Sequence, residues 1–232
     1  MFPSGRMPLA ERYAELLASD GVIRGLIGPR EAPRLWDRHL VNCALLGDLV
    51  PADVSLCDIG SGAGLPGLVL AIARADVRVT LVEPLLRRTS FLEEVVRTLE
   101  LDNVEVVRAR AESVHGTRVF DVVTSRAVAP LDRLLGWSMP LVAATGALVA
   151  MKGSSVADEI AAARPVLDEL GCTDPEVHVL GDGLVSSTTV AVRVAWADPG
   201  RVSWPLVAPS NDGRPEQRSG RKRAKSNRRR RG

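Results

Sequence analysis

The chain has 232 residues, of which 46% are hydrophobic, and this allows one large domain with a sizeable core and a short extension. No apolar run approaches the roughly 18 residues of a membrane span, the N-terminus lacks the core of a signal peptide, and three unclustered cysteines argue against disulfides and a zinc site. The net charge is +2, but residues 213–232 alone carry +9 and leave −7 for the rest, which suggests a polyanionic partner. We therefore expect a cytoplasmic protein without a metal, not bound to a membrane.

Residues 1–50 are predicted to form a helical cap on the domain that follows. Leu9, Tyr13 and Leu16 recur at helical spacing, and a less regular helical pattern continues to residue 48. Glycine and proline in residues 21–30 predict a loop between the two helical parts. The second part contains His39, which we interpret as structural because an isolated histidine is more often structural than catalytic.

A glycine-rich loop follows the first predicted strand, residues 54–59. Glycine lets the backbone adopt positive φ and approach a ligand closely, so strand, glycine loop and helix start together predict a nucleotide pocket. Two spacings fit: the G-x-G-x-x-G of dinucleotide-binding proteins from Gly62, and the acidic-x-G-x-G-x-G of S-adenosylmethionine (SAM) methyltransferases from Asp58. The glycines of the loop are Gly60, Gly62, Gly64 and Gly67.

Glu83 ends the second predicted strand, residues 77–83, which follows a crossover helix at residues 66–74. It lies about 20 residues past the loop, where a carboxylate can accept hydrogen bonds from both ribose hydroxyls of an adenosine. A carboxylate there disfavours the 2′-phosphate of NADP. NAD and SAM both remain possible, since each carries an unmodified adenosine ribose.

Further polar residues follow the next strands at the same predicted edge of the sheet. Arg110, Ala111 and Glu112 come after strand three, Arg126 comes after strand four, and Lys152 lies at the end of strand five. The remaining predicted strands are residues 104–107, 119–124, 146–153, 177–180 and 188–195, and the remaining helices are residues 85–101, 131–137 and 156–170.

The order of these elements distinguishes the two cofactors better than the glycine loop does. A short loop, residues 181–183, links the last two strands and predicts an antiparallel hairpin. Five βα units followed by such a pair match the seven-stranded, Rossmann-like α/β layout of class I SAM methyltransferases, whereas a nicotinamide dehydrogenase usually needs a second domain. We therefore assign residues 51–198 to a SAM-binding methyltransferase domain. Residues 199–232 form a basic tail, expected to be disordered when alone.

With these residues in place, the chain resembles the bacterial 16S ribosomal RNA guanine-N7 methyltransferase family over residues 8–195. The segments that carry the resemblance are residues 58–67, Arg38-His39, Arg110-Ala111-Glu112, Ser125-Arg126-Ala127 and Met151-Lys152-Gly153. The resemblance implies SAM as cofactor and N7 of guanine 527 in 16S rRNA as target.

The same resemblance implies that Gly60 and Leu65 line the SAM pocket, that Ala111 and Glu112 meet the adenine end, and that Arg126 belongs to the site. When the residues inferred directly from the sequence pattern are included, the expected cofactor-binding residues are Gly60, Gly62, Gly64, Leu65, Glu83, Ala111, Glu112 and Arg126. One departure stands out. The family often has an Asn-Leu-Thr segment where this chain has Arg24 to Gly28, so no role is transferred there, and Asn42 is not its equivalent by position.

Guanine N7 has a free lone pair and no hydrogen, so its methylation requires no general base, and alignment of the reactants is expected to provide most of the catalysis. Arg126, Arg110 and Lys152 are expected to hold RNA phosphates or the guanine. The expected partner of a monomeric protein is 16S rRNA, within the small ribosomal subunit or its precursor. A SAM enzyme acting on a small molecule, a non-catalytic RNA-binding protein and an NAD dehydrogenase stay open as alternatives.

Overall fold

The computed structural model describes residues 1–185 and 188–203, so most of the predicted tail lies outside the described residues. Seven strands form one sheet in the order β3-β2-β1-β4-β5-β7-β6, and β7 runs antiparallel to both of its neighbours. The predicted seven-stranded α/β layout with a final hairpin is thereby confirmed. The strands are β1 (Ser55–Ile59), β2 (Arg78–Val82), β3 (Val104–Val107), β4 (Phe120–Arg126), β5 (Val142–Lys152), β6 (Glu176–Leu180) and β7 (Thr189–Ala195).

Helices cover both faces of the sheet and create two apolar layers. Successive strand residues point to opposite faces, so Leu56 of β1 packs into one layer and Ile59 into the other. The first layer lies under α1, α3 and α4, and the second under α5 and α6. The α-helices are α1 (Met7–Leu16), α2 (Val41–Leu45), α3 (Gly67–Ala73), α4 (Leu86–Thr98), α5 (Leu131–Ser138) and α6 (Val156–Leu170), and none of the described helices is both long and apolar enough to span a membrane.

The N-terminal segment is helical and shares its core with the sheet. A π-helical turn, Leu17–Gly21, extends α1, and a second, Trp36–Leu40, leads into α2. The backbone leaves the helical conformation only after Ile23, later than the predicted loop at residue 21. Tyr13 of α1 is fully buried, and its hydroxyl donates a hydrogen bond of 2.7 Å to the carbonyl of Ala63, which fastens the segment to the glycine-rich loop.

Strand β5 begins at Val142, four residues before the predicted start at Gly146. A glycine inside a strand often marks a place where another backbone comes close. Here a Cβ at Gly146 would lie 2.5 Å from the carbonyl oxygen of Asp121. The β4–β5 register also shifts between Phe120 and Val122, so the glycine marks an irregularity within the strand and not its beginning.

Candidate functional site

A cavity of about 680 Å³, the first cavity, opens where the carboxyl ends of β1 to β4 meet the N-terminal segment. Six parts of the chain line it, namely the N-terminal segment, the segments at the ends of β1 to β4, and α5. The four strand ends meet there because the carboxyl ends of parallel strands share one edge of a sheet. Eight of the residues singled out from the sequence form part of its wall: Gly60, Gly62, Leu65, Glu83, Arg110, Ala111, Glu112 and Arg126.

Gly64 is the predicted cofactor-binding glycine that does not line this cavity. It adopts φ of +97°, and a Cβ there would meet the side chain of Leu68 and the hydroxyl of Tyr13. The loop therefore requires glycine at this position for its own packing and backbone conformation. The contact of Gly64 with the cofactor stays a prediction.

Asp58, the acid with which the loop pattern begins, stabilises the glycine-rich loop from its buried side. Its side chain is fully buried, and Oδ2 accepts a hydrogen bond of 2.9 Å from the backbone N–H of Gly67. Burial raises the pKa of Asp58 to about 7, although the Gly67 N–H acts in the opposite direction. A Cβ at Gly67 would lie 2.7 Å from Oδ2, so this glycine allows helix α3 to start against the strand.

Glu83 projects into the first cavity from the end of β2, and its side chain is only 1% exposed. One carboxylate oxygen accepts hydrogen bonds from the Gly62 N–H at 3.0 Å and from Nη1 of Arg88 at 3.2 Å, while the other accepts from the Leu85 N–H at 3.0 Å. These donors fix the carboxylate between the glycine-rich loop and the start of α4. A fixed, buried carboxylate beside a glycine loop is suited to accept hydrogen bonds from a ribose diol.

Arg126, at the end of β4, forms a chain of polar contacts with the N-terminal segment. Its Nη2 lies 2.6 Å from Nδ1 of His39, and Nε2 of His39 lies 3.0 Å from a carboxylate oxygen of Glu31. Burial and the Arg126 charge hold the pKa of His39 below its ordinary value, so the imidazole is neutral at pH 7. Nδ1 then accepts from Arg126, and the Nε2–H donates to Glu31. His39, interpreted from the sequence as structural, thus lines the first cavity and holds a site arginine.

A second cavity of about 530 Å³ lies on the other side of Arg126, between the second N-terminal helical part, the end of β5 and the start of β7. The two cavities share Arg126, Ala127 and Val128 as a common wall. The structure places Lys152 here and not in the first cavity. Its side chain is 6% exposed, and Nζ donates 2.8 Å to Glu159 and 2.9 Å to the carbonyl of Ala129.

The Lys152 charge is therefore balanced by a carboxylate, and its expected role on RNA stays a prediction. Arg110, in contrast, is exposed at the first cavity and forms no ion pair with any described residue, so its guanidinium is available to a phosphate. Within the described part of the chain, no group of three or more His, Cys, Asp or Glu side chains is arranged to hold a metal ion.

Sequence reasoning missed several apolar residues that line the first cavity, among them Leu26, Ile27 and Trp137. Leu26 and Ile27 lie in the Gly- and Pro-containing segment interpreted as a connecting loop, where two adjacent apolar residues were the only signal. Trp137 lies near the end of α5, outside every recognised motif. Nothing in its sequence context distinguishes it from an ordinary core residue.

Comparisons with known proteins bear on this site. The model of one family, described as rRNA small subunit methyltransferase G, matches residues 6–185. A protein named ribosomal RNA small subunit methyltransferase G from Nocardioides sp. is 69% identical over 230 residues, which is 99% of this chain and 92% of the relative. Proteins of the same name from Streptomyces coelicolor (56% identity, 80% of this chain, 78% of the relative) and Corynebacterium glutamicum (52%, 78% and 83%) are also similar.

Solved structures support the fold at low sequence identity. A SAM-dependent O-methyltransferase from Thermotoga maritima matches 72% of this chain and 70% of its own with a TM-score of 0.52 at 15% identity. Trm5b from Pyrococcus abyssi matches 73% of this chain and 49% of its own with a TM-score of 0.52 at 13% identity. At these identities the similarity supports the class I, Rossmann-like architecture and nothing finer.

Proposed function

Because the chain belongs to the rRNA small subunit methyltransferase G family, we propose that it transfers a methyl group from SAM to N7 of a guanine in 16S rRNA. The expected target is guanine 527, and the expected substrate is the RNA within the small ribosomal subunit or its precursor. The reaction class follows from the family, whereas the atom and the nucleotide are the finer parts of the proposal.

The observation that carries the cofactor assignment is the Glu83 carboxylate. It is buried, held by the Gly62 N–H, and faces the first cavity at the end of the second strand. The residues present fit SAM: Glu83 would accept hydrogen bonds from the ribose hydroxyls, and Ala111, Glu112 and Gly60 line the same cavity, where Ala111 and Glu112 would meet the adenine. Bound SAM supplies a methyl carbon attached to a positively charged sulfur.

The work of the protein in this reaction is positioning. N7 of guanine uses its own lone pair and loses no proton, so the site needs no general base, and holding the reactants in line supplies much of the rate enhancement. Arg126 stands in the wall shared by the two cavities and is held there by His39. Its guanidinium can donate to a guanine oxygen or to a phosphate while remaining charged.

Positively charged groups around the two cavities support an RNA substrate. Arg110 lines the first cavity and forms no ion pair with a described residue, whereas Arg88 in the first cavity and Arg38 in the second are paired with Glu83 and Glu31. N7 lies on the Hoogsteen edge of guanine, and a base must be unstacked or presented by folded RNA before an enzyme can reach that edge. Arginines near the opening can hold the flanking backbone while the base enters.

The test is methylation of small ribosomal subunits and of free 16S rRNA from cells that lack this activity, with methyl-labelled SAM and the purified full chain. Mass spectrometry of nuclease digests should locate N7-methylguanine at a single position. Label in small metabolites instead of RNA would favour an enzyme acting on a small molecule. RNA binding without SAM binding would indicate a non-catalytic RNA-binding protein, and a titration that shows NAD in place of SAM would indicate a dehydrogenase.

A further inference from the structure

The loop between β4 and α5, residues 127–130, depends on contacts from outside itself. Ala127 adopts φ of +54°, a conformation that is disfavoured for a residue with a Cβ. Val128 and Ala129 form no backbone–backbone hydrogen bond with any other described residue. A strained backbone persists only where the surrounding structure imposes it, so side chains from other elements must fix this loop.

Lys152 at the end of β5 and Glu159 on α6 supply these contacts. Nζ of Lys152 donates to the Ala129 carbonyl at 2.9 Å and to Oε2 of Glu159 at 2.8 Å. The same carboxylate oxygen accepts a hydrogen bond of 3.0 Å from the Leu131 N–H, where α5 begins. The two charged side chains therefore hold the loop on both sides of Pro130, and we call this pair the clamp.

The loop that the clamp holds forms part of the predicted active site. Ala127 and Val128 follow Arg126 directly, and all three belong to the wall that the two cavities share. A Cβ at Gly60 would lie 2.9 Å from Cγ2 of Val128, so the loop packs against the glycine-rich loop. A shift of the loop would consequently move Arg126 and the wall of the first cavity at the same time.

We propose that Lys152 and Glu159 are positioning residues for methyl transfer, because they fix the loop that places Arg126 and Val128 beside the cofactor. The inference rests on the proposed function and deepens it by assigning residues that act on alignment alone. A reaction that needs no general base depends on alignment, and a misplacement of about 1 Å can slow such a step about a hundredfold. The clamp therefore acts on the rate of the chemical step and not on the binding of either reactant.

Burial and charge favour this role for Lys152 over the contact with an RNA phosphate that the sequence suggested. Its side chain is 6% exposed, and its charge is balanced by a carboxylate whose own side chain is 21% exposed. A phosphate at this place would meet an ion pair with no net charge, and the nearby carboxylate would repel it. The exposed guanidinium of Arg110, which has no ion-pair partner among the described residues, is better suited to a phosphate.

Lys152→Met tests the inference, because it removes the donor and the charge and keeps most of the side-chain length. With saturating SAM and small ribosomal subunits, kcat should fall about ten- to a hundredfold. The affinities for SAM and for RNA should change by less than about twofold. Lys152→Arg keeps donor groups and should restore part of kcat. Arg164→Met is the control, since it removes an exposed ion pair with Asp174 from the same helix, outside both cavities.

A double variant, Lys152→Met with Glu159→Gln, separates positioning from stability. The single variant leaves a largely buried carboxylate without its cation, so its Tm should fall, whereas the double variant removes both charges and should recover much of the Tm. The Glu159→Gln side chain keeps an oxygen for the Leu131 N–H, but the Ala129 carbonyl still lacks its donor. Thus kcat should stay low although stability returns. If Lys152→Met does not fold, the double variant makes the same comparison with the wild type.

An unchanged kcat in Lys152→Met would overturn the inference, and so would a kcat that recovers together with Tm in the double variant. Weaker RNA binding with a smaller salt dependence and an unchanged kcat would show instead that Lys152 contacts a phosphate. These results leave the proposed function standing, because the wild type still methylates RNA. A wild type that methylates no ribosomal RNA would overturn the proposed function, and the inference with it.

Discussion

Nη2 of Arg126 lies 2.6 Å from Nδ1 of His39, which joins the end of a central strand to the N-terminal helical segment. The histidine in turn reaches Glu31 through Nε2 at 3.0 Å. A neutral imidazole is the form that can accept from a guanidinium and donate to a carboxylate at once. Arg126 is thus oriented by residues from a part of the chain that contains none of the strands.

His39→Ala should lower kcat/KM for RNA about tenfold or more, because Arg126 loses the acceptor that orients it. His39→Asn places an oxygen near the former Nδ1 and should restore part of the activity. The pKa of His39 is below its ordinary value, so acid conditions protonate Nδ1 and remove the acceptor. The wild-type kcat/KM should therefore fall at acid pH, and the fall should be weaker in His39→Asn; superimposable pH profiles would contradict this role.

Glu83→Ala should weaken SAM binding about tenfold or more, since a charge-assisted hydrogen bond contributes about 1.5–3 kcal/mol. Isothermal titration calorimetry on the purified protein measures the effect directly. Glu93→Ala is the matched control, because Glu93 is an exposed acid of α4 outside the first cavity. An unchanged SAM affinity in Glu83→Ala would refute the ribose-binding role.

Asp58 should make the stability of the protein depend on pH. Burial raises its pKa from 3.8 to about 7, so the folded state binds this proton more tightly than the unfolded state does. The resulting contribution is full below the unfolded pKa and is lost as pH rises through 7, with a slope of up to about 1.4 kcal/mol per pH unit. Asp58→Asn keeps an acceptor for the Gly67 N–H and cannot ionise.

Urea unfolding of both proteins between pH 5 and pH 8 tests this expectation. The free energy of unfolding should fall less steeply with pH in Asp58→Asn than in the wild type. Equal slopes would show that the aspartate ionises in the folded state as easily as in the unfolded state.

Deletion of residues 214–232 should reduce RNA affinity and flatten its salt dependence, because these residues include ten cations that can each replace counterions on RNA. Fluorescence anisotropy with labelled RNA at several salt concentrations gives the slope of log K against log salt. Replacing Arg228 to Arg231 by lysine keeps the charge and should keep the slope. If the deletion leaves the slope unchanged, the tail takes no part in RNA binding. The affinity for SAM should be the same in the wild type and in both variants.

The sequence predicted all seven strands and the polar residues at the carboxyl ends of several, since strand periodicity and glycine spacing are local signals. Glu83, Arg110, Ala111 and Glu112 lie at the first cavity as expected. The ion pair between Lys152 and Glu159 could not be predicted from such local signals. They lie seven positions apart along the chain, but the ion pair depends on how α6 packs against the end of β5.

His39 and Trp137 could not be assigned to the first cavity from the sequence, for a different reason. Each reaches the first cavity only through tertiary packing, one from the N-terminal segment and the other from α5. Periodicity indicates that a residue is buried but not which cavity it faces.

The residues that line the two cavities span most of the chain, from Leu26 to Val190. During synthesis the ribosome must release nearly the whole sheet before β7 can insert between β5 and β6 and close the second cavity. Nascent chains that lack β7 contain every residue that lines the first cavity but lack part of the wall of the second. The topology thus completes the wall of the second cavity only after translation of the last strand of the sheet.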